Sequence, residues 1–529
     1  MQAPWPDVKC ALGRPSVVIA IVAAILAAMA AGCRRTERPA PPGYLQVDLE
    51  TSPITLDPRF ATDAVSSRVA ELIYDSLVRL DGHGRVVGDL AESFERPTPT
   101  TLIFHLRRGL RFSDGRPLTA RDVKYTYDSI LDPATVSPKR AGLEPMASIA
   151  APEEATIVMT TRQPYAPALE MAMIGVVPYG SLASRAQAAT WGASSGAFEI
   201  QKFARDEALL LKRNPYRPDA PGSIPGILFK VVPDPTVRAL ELAEGVCGLS
   251  ENNIQPDLLG YLGMRPGLAI TRSPGSEYNY LAFNFRDPKL RDIRVRRAIA
   301  YAINRQAIIG SMYKNTARAA SGMLAPENWA YEGDVARYDY NPAAASRLFD
   351  RAGYPIGPMG MRKLNFVYKT TPEGKRLGEV LQAMLRQVGI RLEVRTNEYA
   401  TFYGDIQHGN FDLTSLDWVG IDLTHQYYMV FDSKMTPPHG SNRGNYSNPE
   451  MDRLLEKADA ALDPSARRAI LSRVQKLAAE DLPYISLWWL DNVAVMNHEL
   501  NGFTPYPNGS LRSLASASFT PDRADGADE

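Results

Sequence analysis

At 529 residues the chain is longer than one hydrophobic core usually serves, so at least two lobes or domains are expected. Hydrophobic residues make up 45% and charged residues 22%, an ordinary globular composition that excludes a disordered or wholly membrane-embedded chain. Lys plus Arg and Asp plus Glu each total 59, so the formal net charge is zero and no long-range field favours nucleic acid.

Residues 1–32 have the order of a secretory signal: Lys9 and Arg14, an uncharged apolar run over 17–31, then Ala30-Ala31-Gly32 before Cys33. The run has about fifteen residues, short of the roughly 20 that a bilayer span needs. Ala-Ala-Gly-Cys resembles a bacterial lipobox, with Ala30 where Leu is commoner, and so implies acylation of Cys33. Cleavage nearby to a soluble form, or a short uncleaved anchor, is the alternative. Residues 33–43 include Arg34, Arg35, Pro39, Pro41 and Pro42 and read as an extended tether. Cys10 leaves with the signal and Cys33 takes lipid, so Cys247 has no disulfide partner and is expected to be an inert buried thiol.

Residues 44–49 alternate as a strand should, and residues 64–80 show helical spacing through Val65, Val69, Leu72, Ile73 and Leu77. Alternating runs at 101–106 and 157–160 predict further strands, and residues 120–131 predict a helix with Thr119 as its N-cap. Amphipathic helices follow over 293–313, 342–352, 375–388, 450–461 and 465–480, each docking on a core. Strands are expected between them at 363–368, 391–397, 413–418 and 484–490, which makes the class mixed α/β. Nothing repeats at a fixed period, and residues 521–529 are expected to fray.

Strings that could carry chemistry fail on context. Gly192-Ala193-Ser194-Ser195-Gly196 matches the G-x-S-x-G string of serine hydrolases, which works only where a strand feeds a sharp turn into a helix. Here an alanine-rich helical stretch precedes it and the strand-like Ala197-Phe198-Glu199-Ile200 follows. A glycine-hinged turn is the simpler reading, and a hydrolase using Ser194 is the rival. The histidines have no HExxH or other ligand spacing and the cysteines no C-x-x-C, so neither a metal site nor a cofactor is expected. No P-loop string occurs, so any ATP hydrolysis must reside on another chain. Aromatic residues concentrate in the second half, at Tyr278, Tyr280, Trp418, Tyr427, Tyr428, Tyr446, Trp488 and Trp489, and offer a ligand rigid area with polar handles. Trp488 and Trp489 are neighbours in a predicted strand, so at least one must face a core.

Leu90-Ala91-Glu92-Ser93-Phe94 is followed by Leu102-Ile103-Phe104-His105-Leu106-Arg107-Arg108-Gly109-Leu110-Arg111-Phe112-Ser113-Asp114-Gly115-Arg116-Pro117-Leu118-Thr119-Ala120-Arg121-Asp122-Val123. Together these runs resemble the signature of the family 5 bacterial solute-binding proteins, the dipeptide- and oligopeptide-binding proteins of ABC importers. Further segments look similar in the right order, among them Leu56-Asp57-Pro58, Tyr280-Leu281-Ala282-Phe283-Asn284, Arg294-Val295-Arg296-Arg297-Ala298-Ile299, Phe411-Asp412-Leu413 and Tyr446-Ser447-Asn448-Pro449. The similarity spans nearly the whole mature chain.

The resemblance implies a two-lobed periplasmic-binding-protein-like fold, the large three-domain form of type II, with a ligand cleft between hinged lobes. It implies a discontinuous first lobe over 44–79, 190–277 and 498–529, an inserted domain over 80–189 and a second lobe over 278–497. It also implies capture of short peptides outside the cytoplasm, no catalysis, and delivery to ABC permease and ATPase subunits. In such peptide binders a Trp and a following Asp mark where the α-ammonium is held. Trp418-Val419-Gly420-Ile421-Asp422 keeps both residue types at a different spacing, which makes Asp422 an aligned candidate with a loop or cap role as the alternative. Asp63-Ala64-Val65-Ser66 resembles the stretch that borders the ligand in the first lobe, with an N-cap role open for Asp63. Arg443, within Asn442-Arg443-Gly444-Asn445-Tyr446, is a candidate for a bidentate pair with a ligand carboxylate, a bridge between lobes or a solvent contact. Tyr278 and Asn445 complete the candidate ligand set. Fold does not settle cargo, so an oligosaccharide, a nickel complex, an opine and a signalling role are the rivals.

Overall fold

The computed structural model describes residues 40–181, 192–217, 221–419 and 424–520. The expected signal, Cys33, Asp422 and the frayed end therefore lie outside the described residues. From Gly43 onward the chain folds as one unit. Its spine is a pair of long antiparallel strands, Leu268–Phe283 and Tyr484–Asn497, in the middle of an 11-stranded mixed sheet. Where Leu268 to Ser273 pairs with Asn492 to Asn497, the sheet continues through Leu249–Glu251, Leu45–Leu49, Gly226–Val231, Ala208–Arg213 and Phe198–Ala204. Where Glu277 to Ala282 pairs with Tyr484 to Leu490, it continues through Leu413–Trp418, Asn365–Thr370 and Arg391–Thr396.

Between the two halves the ladder breaks. The register shifts between Ser273 and Glu277, across Pro274, which has no N–H to donate. A Cβ on Gly275 would stand 2.3 Å from the Leu490 carbonyl oxygen, so only glycine permits this approach of the two backbones. Ser276 N–H leaves the sheet and donates to Pro507 O at 2.8 Å.

Each half has its own core. Leu45, Val47, Phe198, Leu211, Phe229, Leu249 and Leu514 belong to the first. In the second half the strand alternation sends Leu281, Phe283 and Leu413 to one face, under the helices Ile293–Ala302, Pro342–Arg351 and Lys375–Gln387. Tyr278, Tyr280 and Ala282 go to the other, with Tyr427, Met451 and Val474. Trp488 and Trp489 are 0% and 3% exposed, one in each of these cores. Residues from Leu77 to Val176 build another core on a four-stranded sheet, in the order Ala91–Thr98, Thr101–Leu106, Thr156–Thr161, Met146–Glu153. The helix Ala120–Leu131 closes it, and the Asp122 carboxylate accepts from the Thr119 N–H at 2.8 Å and hydroxyl at 3.0 Å.

Three elements depart from expectation. The helix expected over 64–80 ends at Ile73, because Asp75 and Ser76 are tied down instead, their N–H groups donating to Ser195 Oγ at 3.1 Å and Asp89 Oδ2 at 3.0 Å. Val78–Leu80 then pairs with Val86–Gly88 as a strand. The helix expected over 293–313 is two, Ile293–Ala302 and Arg305–Met312, because the Asn304 side chain accepts from Ala307 N–H at 3.0 Å and starts a new helix. The strand expected at 484–490 runs on to Asn497.

Candidate functional site

Where the two halves of the sheet meet, side chains from both converge. From the second half comes an aromatic and cationic corner. Trp418 ends its strand opposite Tyr278, and its ring stacks at 6.3 Å on Tyr280, which stacks in turn at 4.1 Å on Tyr484. The Arg443 guanidinium lies 5.0 Å from the Trp418 ring centre and 5.4 Å from that of Tyr403, a cation–π sandwich. It donates to Tyr403 Oη at 3.1 Å and to Tyr280 Oη at 3.4 Å. Two buried donors in this corner, Trp418 Nε1 and Arg443 Nε, have no hydrogen-bond partner among the described residues. Buried donors are normally satisfied, so this pair is open to a further acceptor.

Acids from both halves of the sheet also meet at the junction, where Arg68 bears on Glu277 and on Glu251. Glu277, on the hinge side of Tyr278, is raised in pKa by burial first and by the negative charge of Asp417 second. Burial likewise raises Asp417, which precedes Trp418 at the exposed strand end. From the first half, burial pushes Glu251 up to about 7, with Arg68 opposing the rise, and neither Glu251 oxygen has a hydrogen-bond partner among the described residues. Glu50, Val65, Arg68, Glu251 and Leu511 line a cavity of about 20 Å³, room for about one water.

The candidates named from sequence divide accordingly. Trp418 and Arg443 stand together in the corner, where Arg443 is half-buried between Trp418 and Tyr403. Val65 reaches the small cavity and Ala64 is half-buried beside it. Asp63 caps the helix Ala64–Ile73, accepting from Ser66 N–H at 2.8 Å. Tyr278 is 2% exposed and donates to or accepts from Ser486 Oγ at 2.7 Å, facing a separate cavity of about 350 Å³ with Arg305 and Tyr427. Asn445 is exposed in a turn at φ 57°, a left-handed position that asparagine tolerates. Ser194 and Ser195 are each 1% exposed and serve packing: Ser194 N–H donates to Ser113 Oγ at 3.0 Å, and Ser195 Oγ donates to Val176 O at 2.9 Å. Cys247 is a free thiol, 1% exposed and raised in pKa by burial. Sequence reasoning missed Arg68, Glu251, Glu277, Tyr403 and Asp417.

A second contact joins the core of residues 77–176 to the second half of the sheet. Tyr165 Oη lies 3.3 Å from His425 Nδ1, which lies 2.8 Å from Asp459 Oδ2, and Ala166 N–H donates to Asp459 O at 2.6 Å. Nearby, burial pushes Glu170 up to about 7 although Arg467 stands 3.8 Å away. An acid raised in the folded state binds its proton more tightly there than in the unfolded chain. Its favourable contribution is complete below the free carboxyl value and is lost as pH rises through about 7. Urea unfolding of the native protein should therefore show lower stability at pH 8 than at pH 5, and Glu170→Gln should remove roughly 1–3 kcal/mol of that difference. An unchanged pH slope in the variant would refute the assignment.

A hinged pair of α/β halves with unsatisfied donors and acids at their junction is the architecture of a two-lobed solute receptor. Two solved structures share it: NikZ of Campylobacter jejuni in complex with Ni(L-His), with TM-score 0.80 and 23% identity, covers 90% of this chain and 100% of its own. The oligopeptide-binding protein AppA of Bacillus subtilis in complex with a nonapeptide has TM-score 0.79 and 20% identity, covering 91% and 100%. Residues 85–437 match the family described as bacterial extracellular solute-binding proteins, family 5, and the chain belongs to that family. A putative ABC transporter peptide-binding protein of Brucella ovis is 28% identical over 456 residues, covering 83% of this chain and 85% of the relative. Among the described residues no helix is long and apolar enough to cross a membrane.

Proposed function

We propose that this chain is the extracytoplasmic cargo receptor of an ABC importer, that it carries short peptides to the permease, and that it performs no chemistry on them. The observation that carries the peptide reading is the pair of buried donors, Trp418 Nε1 and Arg443 Nε, that have no hydrogen-bond partner among the described residues. A peptide offers its carboxylate and carbonyl oxygens to these donors. The Brucella ovis relative, described as peptide-binding, supports the same cargo class. The lobes meet at the ladder break around Gly275, with Asp63, Ala64 and Val65 bordering the cleft from the first lobe and Trp418, Arg443 and Asn445 from the second. Asp422, four residues after Trp418, takes the peptide α-ammonium. Native mass spectrometry of the gently isolated protein should find a peptide in the cleft. Calorimetry of the emptied protein should then give tighter binding of free di- to pentapeptides than of nickel–histidine or sugars, and the reverse order would sink the peptide reading.

The chain is exported and held at the membrane through lipid on Cys33. Several acyl chains anchor firmly where one does so only marginally. Cys33→Ala should abolish the lipid mass increment and shift the protein from the membrane to the soluble envelope fraction. Equal membrane retention of the variant would defeat this.

A further inference from the structure

The cavity of about 350 Å³ in the second half of the sheet is a site of its own, set behind the aromatic corner. Its size falls at the low end of the roughly 300–1,000 Å³ that small-molecule sites occupy. The central strand pair walls it, with Tyr278 from Leu268–Phe283 and Tyr484 and Ser486 from Tyr484–Asn497. Tyr278 and Tyr484 stack on Tyr280 at 5.6 and 4.1 Å, and Trp418 of the corner stacks on the same ring at 6.3 Å. Tyr280 is 0% exposed, so a layer of buried tyrosine separates the cavity from the corner. Gln306, Arg337 and Asp339, all exposed, mark its mouth.

Its charge is positive. Arg305, the first residue of the helix Arg305–Met312, reaches the cavity wall, where Nη1 donates to Ala320 O at 2.7 Å and to Ser486 O at 2.9 Å. Those neutral carbonyls fix the guanidinium in place and leave its charge uncancelled. Among the described residues one carboxylate comes within ion-pair distance, Asp339 at 3.8 Å from Nη2, and its side chain is 88% exposed against 16% for Arg305. A solvated acid cancels little of a buried charge. Burial lowers the Arg305 pKa first, Asp339 and Tyr278 oppose the fall, and Arg337 adds to it. Two guanidinium groups therefore line the cavity against one carboxylate that lies in water. The other polar groups are paired hydroxyls, Tyr278 with Ser486 at 2.7 Å and Ser321 with Tyr331 at 3.1 Å, and each pair keeps one O–H to donate. Met323 and Phe431 supply apolar lining.

We propose that this cavity is a second ligand site, which takes the carboxylate of a small organic acid. The carboxylate pairs with the Arg305 guanidinium through Nη2 and accepts from the spare O–H of each hydroxyl pair, while its apolar tail lies along Met323 and Phe431. The site stands apart from the peptide reading. A free acid and the C-terminus of the cargo are the two sources of that chemistry.

NMR titration of the native protein with hexanoate, hexanamide and hexylammonium compares an acid, a neutral group and a cation on one tail. Charge-assisted hydrogen bonds predict roughly ten- to a hundredfold tighter binding of hexanoate. With labelled methionine methyls, an NOE from the hexanoate tail to Met323 should locate it. Gly322→Leu should fill the cavity and abolish binding, and it strains nothing, since a Cβ there would meet only Tyr427 Oη at an ordinary 3.6 Å. Arg305→Met should erase the advantage of hexanoate over hexanamide. That variant also frees two carbonyls, so thermal melts accompany it, and Gly322→Leu decides if it does not fold. Equal Kd for hexanoate and hexanamide, no NOE to Met323, or undiminished hexanoate affinity in folded Gly322→Leu would each overturn the site. Saturating tripeptide then identifies the source: displaced hexanoate assigns the site to the cargo C-terminus, and retained hexanoate assigns it to a free acid. If no peptide binds, the peptide reading fails while the hexanoate comparison still decides this site.

Discussion

Replacing Arg512 with methionine should lower the unfolding free energy by about 3 kcal/mol, the low end of the cost of breaking a buried ion pair. Arg512 sits in the short helical turn Leu511–Ser516, and its charge meets acids more than four hundred residues earlier in the sequence. Its Nη1 is 3.1 Å from Asp89 Oδ2 and 3.6 Å from Asp75 Oδ1, and its Nε is 3.9 Å from Glu71 Oε2. The side chains of Arg512, Asp75 and Asp89 are 15%, 5% and 6% exposed, so these carboxylates are largely out of water. Truncation leaves them with weaker compensation, from Arg217 at Asp75 and from Arg79 at 3.6 Å from Asp89, and this sets the loss at the low end. Adding Asp89→Asn to Arg512→Met should restore part of the loss, because the uncompensated charge is then gone. Urea melts of the four proteins decide it. A single-variant loss below about 1 kcal/mol, or strictly additive losses, would show that the network is not what fastens the terminal segment to the junction.

The regular elements of this fold were legible because amphipathic period is a local property. Leu413–Trp418 and Ala120–Leu131 fall where the spacing and the Thr119 cap place them. The long strand Leu268–Phe283 was not recovered, since Pro274-Gly275 reads locally as a turn. Its pairing with distant strands, Tyr484–Asn497 along most of its length and Leu413–Trp418 along its second half, keeps it in the sheet. The site divides along the same line. Trp418 and Arg443 could be named from residue type, because aromatic rings and guanidinium groups carry their chemistry wherever they stand. Glu277 and Asp417 are each adjacent in sequence to a named aromatic, Tyr278 and Trp418, yet face the other side of the sheet. What brings them together is the register Tyr278↔Trp418 and Asn279↔Asp417, and register is a tertiary fact. Asp63 shows the converse: an acid beside an expected ligand stretch is spent on a helix cap.

Exchanging Arg443 for methionine should weaken peptides with a free carboxylate by roughly ten- to a hundredfold, since charge-assisted hydrogen bonds contribute on the order of 1.5–3 kcal/mol. Methionine keeps most of the stem that fills the space between Trp418 and Tyr403, so the substitution removes charge and donors more than volume. Tyr403 and Tyr280 engage two of the donors, and Nε has no hydrogen-bond partner among the described residues. A carboxylate arriving beside Trp418 Nε1 meets that free edge without first breaking a contact. Loss of the cation–π contact also loosens the corner by about 0.5–1 kcal/mol, and that portion falls on every ligand alike. Comparison with the C-terminal amide of the same peptide removes this common share. The amide lacks the charge, so its affinity should fall less than about threefold in the variant. Calorimetry on both ligands, with thermal melts to show that the variant folds, gives the answer. Equal losses for acid and amide would assign Arg443 to holding Trp418 and Tyr403 in place, with the cargo carboxylate bound elsewhere.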